Sequence, residues 1–230
     1  MADTTIDNMR GSRPHATTEP ILKVDFSWKK FKTRISDAAT DEQVYTVDCH
    51  LKKPYLEYKY ADSGERFGVG NIHTFKINAD AEVNGQAIQI RANKRWITEY
   101  THLSHAYPSA TGEPVTLKWK TSWSLKNWNF ICLGPDQEAV AIFSSNIWAV
   151  TKVGKFEFMG SPSKALKEEI LVTGFTLFYC MLYRANSLPA FFGAFFASTG
   201  PVKEGDPPSK QQQETELQSM SVSADKPKVA

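Results

Sequence analysis

The clearest alternation of apolar and polar positions runs from Val115 to Lys126, "VTLKWKTSWSLK". Val115, Leu117, Trp119, Thr121, Trp123 and Leu125 share one face, and Lys118, Lys120 and Lys126 lie on the other. A period of two belongs to a strand with one face inward and one outward; a helix would scatter the tryptophans around its circumference. Two apolar runs follow, Trp128–Leu133 and Ala139–Phe143, separated by the polar turn "GPDQE", which predicts a hairpin. "IWAV" and "KFEFMG" come next, joined by Lys152–Lys155 around Gly154. Upstream, "ILKVDFSW", "VYTVDCHL", "YLEYKY", "FGVGNIHTFKI", "EVNGQAIQIRA" and "RWITEY" read in the same way. Trp28, Phe31 and Ile35 are spaced compatibly with a helix and leave that junction open. Roughly ten to twelve short strands before residue 160 fit an all-β sandwich or barrel.

The periodicity then stops. Ile170 to Tyr183 is a run of fourteen residues without a formal charge. The preceding "GSPSKALKEE" predicts a helix start, with Ser161 as cap, Pro162 in the first helical position, and Glu168 and Glu169 near the positive pole of the helix dipole. Arg184 suits the other pole, and Asn186 and Pro189 supply the stop, so the helix covers about 163–185. It is apolar on every side and must be surrounded by apolar matter, either protein or lipid. A membrane span needs ~20 apolar residues, whereas runs of 10–14 belong more often to buried core helices. A closed sheet of ten or more strands leaves a hole that its own side chains do not fill, and this rod fits it. The expectation is therefore a mainly β protein, a closed antiparallel barrel of about twelve strands around a buried hydrophobic C-terminal helix. The alternative is an integral membrane protein anchored by residues 170–197, with "LPAFFGAFFAS" (188–198) completing the span or touching the bilayer.

Composition narrows the class. The chain has 230 residues, 41% hydrophobic, 12% aromatic and 23% charged, with a formal charge of +2. Residues 1–19 and 201–230 are polar and poor in large apolar groups, so they are expected to be disordered tails flanking one domain, 20–200. Between residues 21 and 200, 21 Lys/Arg face 17 Asp/Glu, too slight an excess to argue for nucleic acid as a partner. The first twenty residues lack the apolar stretch of a secretory signal, and Cys49, Cys132 and Cys180 read as free thiols, so the expected location is cytoplasmic, peripheral to membranes at most.

"YTVDCHLKKPYLEYK", "FICLGPDQEAVAIFSSNIWAVTKVGKFEFMG" and "EEILVTGFTLFYCMLYR" together resemble the tubby C-terminal-like superfamily over about residues 21–185. That group includes the phospholipid scramblases and LURP-one-related proteins, and the likeness is greatest to uncharacterised fungal members. The resemblance implies a twelve-stranded barrel around a hydrophobic helix. Tubby relatives bind phosphoinositide headgroups through basic residues, none of which is matched to a position here. The Pro-rich region, cysteine clusters and acidic calcium segment of scramblases have no counterpart.

Candidate chemistry is sparse. Lys118, Lys120 and Lys126, joined by Lys152 and Lys155, form a candidate headgroup-binding patch for anionic phospholipid or a membrane surface, against the plain reading of a solvated barrel exterior. Arg91, Lys94 and Arg95 form a second basic group. His102 and His105 have His-X-X-His spacing without further ligands, Cys49–His50 is no nucleophile–base pair by adjacency alone, and no catalytic or phosphate-loop motif occurs. Trp119 and Trp123 could stack on single strands, but core packing accounts for them better. The expected function is non-enzymatic, without cofactor or metal: a lipid-headgroup-binding or protein-interaction module. A lipocalin-type carrier is disfavoured because the helix would take the ligand's place.

Overall fold

The computed structural model of the protein describes residues 21–27, 31–53, 55–73, 77–93, 99–123, 127–146 and 152–185. Both expected tails, "IWAV" and the Phe-rich segment 188–198 lie outside the described residues.

The strands are β1 (Ile21–Ser27), β2 (Lys32–Asp37), β3 (Gln43–Cys49), β4 (Leu56–Tyr60), β5 (Arg66–Ile72) and β6 (Ala79–Val83), then β7 (Gln86–Ala92), β8 (Glu99–Ser104), β9 (Val115–Trp123), β10 (Asn127–Leu133), β11 (Ala139–Asn146) and β12 (Lys152–Phe158). Among the described residues one helix follows, α1 (Lys164–Ala185). Each strand pairs antiparallel with the next in sequence, and β1 closes on β12. An even number of strands lets an up-and-down meander close with antiparallel pairing at the seam, and closure leaves no unpaired edge. The segment "EVNGQAIQIRA", read as a strand, holds the end of β6 and all of β7 and turns at Asn84 and Gly85, both with positive φ, which is the two-residue turn that matches sheet twist. The helix-compatible spacing around Phe31 is overruled, since Phe31 has a φ of 48° and β2 begins at the next residue. The long alternating strand is described from Val115 to Trp123, and residues 124–126 of the expected run lie outside the described residues.

Every strand turns its apolar set inward. Cross-strand partners such as Val47 and Tyr58, Ala81 and Ile88, Tyr100 and Trp119, and Phe143 and Phe156 are all buried. The opposite faces carry charge, as at Lys59, Glu82, Lys120 and Lys155. Lipid-facing barrels show the reverse arrangement, apolar outside and polar within.

α1 fills the lumen. Twelve strands spaced ~4.8 Å apart and tilted about 40° close at a radius of roughly 12 Å. A helix radius of about 5–6 Å leaves roughly 6 Å on each side, the reach of one large inward side chain. Ile170 through Phe178 are buried without interruption. Phe178 stands edge-on to Phe143 of β11 at 5.4 Å, and Phe175 stands edge-on to Tyr58 of β4 at 6.5 Å. On the side of β5 and β6 the fit is closer still, because Gly70 leaves room for Thr176 that a β-carbon would take. The Tyr58 hydroxyl donates to the Val172 carbonyl at 3.2 Å and pairs with the Thr176 hydroxyl at 3.0 Å. Thr173 bonds back to the Glu169 carbonyl at 2.8 Å, as expected of a threonine in a buried helix. Among the described residues no helix is long and apolar enough to cross a membrane. Residues 186–197 of the proposed anchor lie outside the described residues.

The helix start differs from expectation. α1 begins at Lys164, and the cap is Ser163, whose hydroxyl accepts from the Leu166 N–H at 3.2 Å. Ser161 and Pro162 precede the helix, and no acidic residue lies in its first turn. Glu168 and Glu169 therefore fall in the second turn, inside the wall, where they do something other than complement a dipole.

The meander gives the barrel two distinct mouths. The chain enters α1 at the mouth shared by the connections β2–β3, β4–β5, β6–β7, β8–β9 and β10–β11. The connections β1–β2, β3–β4, β5–β6, β7–β8, β9–β10 and β11–β12 lie at the opposite mouth, where α1 ends at Ala185.

Candidate functional site

The lysines read as one patch do not all meet. Lys118 and Lys120 point outward from β9, Lys120 exposed and Lys118 half-buried. Lys155 also points outward, but from β12, three strands away, and it is ion-paired with Glu157. Its cross-strand partner Lys23 pairs in turn with Asp41 at 3.2 Å. Lys126 lies outside the described residues, and Lys152 is described only through its backbone. The row from Lys120 to β12 passes Ile131 and Ile142 before it reaches Glu157, so apolar positions separate the two basic sites.

Lys118 and Lys120 differ from most other outward cations of the wall. On β2, β3 and β4, Lys32 and Lys59 both reach Asp48, at 3.2 and 2.8 Å, and Lys59 reaches Glu57 at 3.1 Å. Burial raises the Asp48 carboxyl, but bonds from Lys59 and Lys32 more than offset it and hold it below the usual range. Glu99 sits opposite Lys120 across the β8–β9 ladder, yet its carboxylate accepts from the Asn93 amide at 3.0 Å. Among the described residues neither Lys118 nor Lys120 has an ion-pair partner. In the second basic group, Arg91 donates twice to Gln89, while Lys94 and Arg95 lie outside the described residues.

The two histidines part company. His105 is exposed and lies 3.3 Å from the Gln86 amide. His102 is fully buried on the inward face of β8, and its Nε2 donates to Glu169 at 3.1 Å. No group of three metal-ligating side chains occurs among the described residues. Cys49 points inward while His50 points out, and all three thiols are free and buried. Burial pushes the Cys49 thiol up to about 11, so it is a poor nucleophile at neutral pH. Trp119 lies fully buried against α1 and offers no stacking platform, and the Trp123 side chain is not described.

What the sequence concealed is a pair of adjacent carboxylates inside the helix-entry mouth. Glu169 turns toward β8, where His102, the Ser104 hydroxyl and the Ala106 N–H surround it. Burial pushes its carboxyl up, but those three donors outweigh burial and hold it below its ordinary range. Glu168 turns toward the β6–β7 turn and accepts from the Asn84 amide at 2.9 Å, with Lys164 3.7 Å away. Tyr45 and Tyr60 lie near Glu168, and burial followed by that carboxylate pushes Tyr60 up to about 12. Two successive side chains, about 100° apart on the helix, thus reach different stretches of the wall, the β6–β7 turn and β8, and fix the rotation of the helix. At the other mouth Arg184 donates to the Tyr100 hydroxyl at 2.7 Å and to the Ile77 carbonyl. These groups lock the helix in place.

α1 occupies the lumen and leaves the outside of the barrel and its mouths as the surfaces open to solvent. The chain matches no protein-family model, no curated protein and no solved structure.

Proposed function

We propose that this chain is a non-enzymatic intracellular module that binds anionic phospholipid headgroups on the outside of a tubby-like barrel. The observation that carries the reading is the pair Lys118 and Lys120, which project from β9 without ion-pair partners among the described residues while Lys23, Lys32, Lys59 and Lys155 elsewhere on the wall are ion-paired. A twelve-strand barrel closed around a hydrophobic helix is also what the family resemblance implies, and it supports that assignment. The filled lumen speaks against a carrier of apolar ligands, and the buried, partnered dyad speaks against an acid–base enzyme.

Each cation near an anionic leaflet contributes about 1 kcal/mol. Replacing Lys118 and Lys120 together by glutamine therefore costs about 2 kcal/mol, roughly a 30-fold loss of affinity. Co-sedimentation with phosphatidylserine-containing vesicles measures it: the wild-type chain binds and is released by salt, and the double variant binds weakly. A wild-type chain that ignores anionic vesicles overturns the reading.

A further inference from the structure

The two mouths of the barrel carry opposite charge. At the helix-entry mouth the connections 38–42, 61–65, 84–85, 105–114, 134–138 and 159–163 hold seven acidic residues and no lysine or arginine. At the opposite mouth the described residues of the connections (31, 50–53, 55, 73, 77–78 and 93) include Lys52 and Lys53 and no aspartate or glutamate. The wall between them is mixed, so the net charge of +2 hides this axial polarity.

The described part of the basic mouth has a second feature. Among the described residues, the exposed large hydrophobic side chains are Leu51, 84% exposed, and Phe31, 50% exposed. Both are at this mouth, on neighbouring connections. The Cys49 N–H donates to the Phe31 carbonyl at 2.8 Å, and the His50 N–H donates to the Tyr55 carbonyl at 2.7 Å, so the backbone on which both side chains stand is tied to the sheet. Phe31 holds a φ of 48°, a left-handed conformation that is costly for a bulky residue and is kept where the surroundings impose it. Leu51 is followed directly by Lys52 and Lys53, both exposed and without ion-pair partners among the described residues.

Apolar tips beside unpaired lysines, at the mouth whose described connections carry no acid, are the chemistry of an anionic bilayer surface. The apolar groups enter the headgroup boundary while the ammonium groups stay among the phosphates. We infer that the barrel docks end-on, with Phe31 and Leu51 inserting into an anionic membrane, Lys52 and Lys53 contacting its headgroups, and the acidic helix-entry mouth directed away from it. This rests on the phospholipid reading above and adds to it an orientation and a point of insertion that the wall lysines do not supply. A protein partner would need a complementary acidic, apolar-pocketed face; the bilayer meets the same pattern without one.

The test uses the full chain and vesicles of phosphatidylcholine with or without phosphatidylserine. The pair Phe31→Asn and Leu51→Asn, at exposed sites where asparagine also tolerates positive φ, is expected to weaken binding about tenfold or more, as is the pair Lys52→Gln and Lys53→Gln. An environment-sensitive fluorophore on Leu51→Cys is expected to shift to the blue on phosphatidylserine vesicles, and the same label on Glu138→Cys to stay unchanged; the native thiols are buried and react slowly. If the asparagine pair binds as the wild type does and the label at 51 is silent, while the Lys118 and Lys120 variant loses binding, end-on docking is overturned and headgroup binding by the wall stands. If the wild-type chain binds no anionic vesicle, both readings fall, and a protein partner takes the membrane's place.

Discussion

Replacing Gly174 by leucine destabilises the protein by about 3 kcal/mol or more, the upper range for overpacking a closed interior. A β-carbon at Gly174 would stand 2.7 Å from Cη2 of Trp119 and 3.1 Å from Cε1 of Phe156. Both rings are fully buried in the wall, and a closed sheet cannot open one strand without breaking hydrogen bonds on both sides of it. On an exposed helix the same change would be stabilising by about 1 kcal/mol, because glycine is a poor helix former. The sign of the effect thus reports whether the helix is enclosed. Urea unfolding measures it. Trp119→Phe, which removes the atoms nearest to residue 174, is expected to relieve part of the strain of Gly174→Ala. Additive effects of those two changes would mean that residues 119 and 174 do not touch.

Glu169→Ala is expected to cost about 3–5 kcal/mol, because it leaves the His102 ring, the Ser104 hydroxyl and the Ala106 N–H buried without their acceptor. His102 already has one unpartnered buried nitrogen, Nδ1, so loss of the carboxylate would leave the whole ring unpaired. The same group sets an acid limb. Its carboxyl titrates below its ordinary value of 4.5 in the folded chain, so its contribution is complete above that pH and is lost as pH falls through the folded value. Stability measured against pH should therefore fall more steeply below about 4.5 in the wild type than in Glu169→Gln, which keeps the shape and cannot titrate. Identical acid limbs in the two proteins would show that Glu169 is not buried among those donors.

The strands were legible where one face was wet and the other dry. Val115–Trp123 declares itself because its outward lysines contrast with its inward tryptophan and leucine. The enclosed helix was legible for the opposite reason: no face of Ile170–Leu182 is polar, and only a surround of apolar matter suits that. β2, "KTRISD", was hidden because its short run holds few large apolar residues and its neighbour Phe31 completes a helix-like spacing. The roles of Glu168 and Glu169 could not be read from a linear chain, since their partners Asn84 and His102 lie 84 and 67 residues away. The cap was misplaced by two residues because Ser161, Pro162 and Ser163 carry overlapping start signals, and only the Leu166 N–H distinguishes them. The candidate lysines were grouped by sequence proximity, whereas the barrel sorts residues by strand and by mouth. That sorting separates Lys155 from Lys118 and gathers Leu51 with Phe31, twenty residues apart in the chain.

Enclosure of α1 by the chain's own sheet underlies every assignment made to the outer wall and the mouths. Nuclear Overhauser contacts in the isotope-labelled full chain test it most directly, using two pairs on strands six apart in the ring: the Thr176 methyl with the Gly70 α-protons on β5, and the Phe178 ring with the Phe143 ring on β11. Both contacts in a single sample, which a helix lying on the outside of a sheet cannot make, are the predicted result. Loss of either, with the Thr176 methyl and Phe178 ring contacting detergent or lipid chains instead, would contradict it.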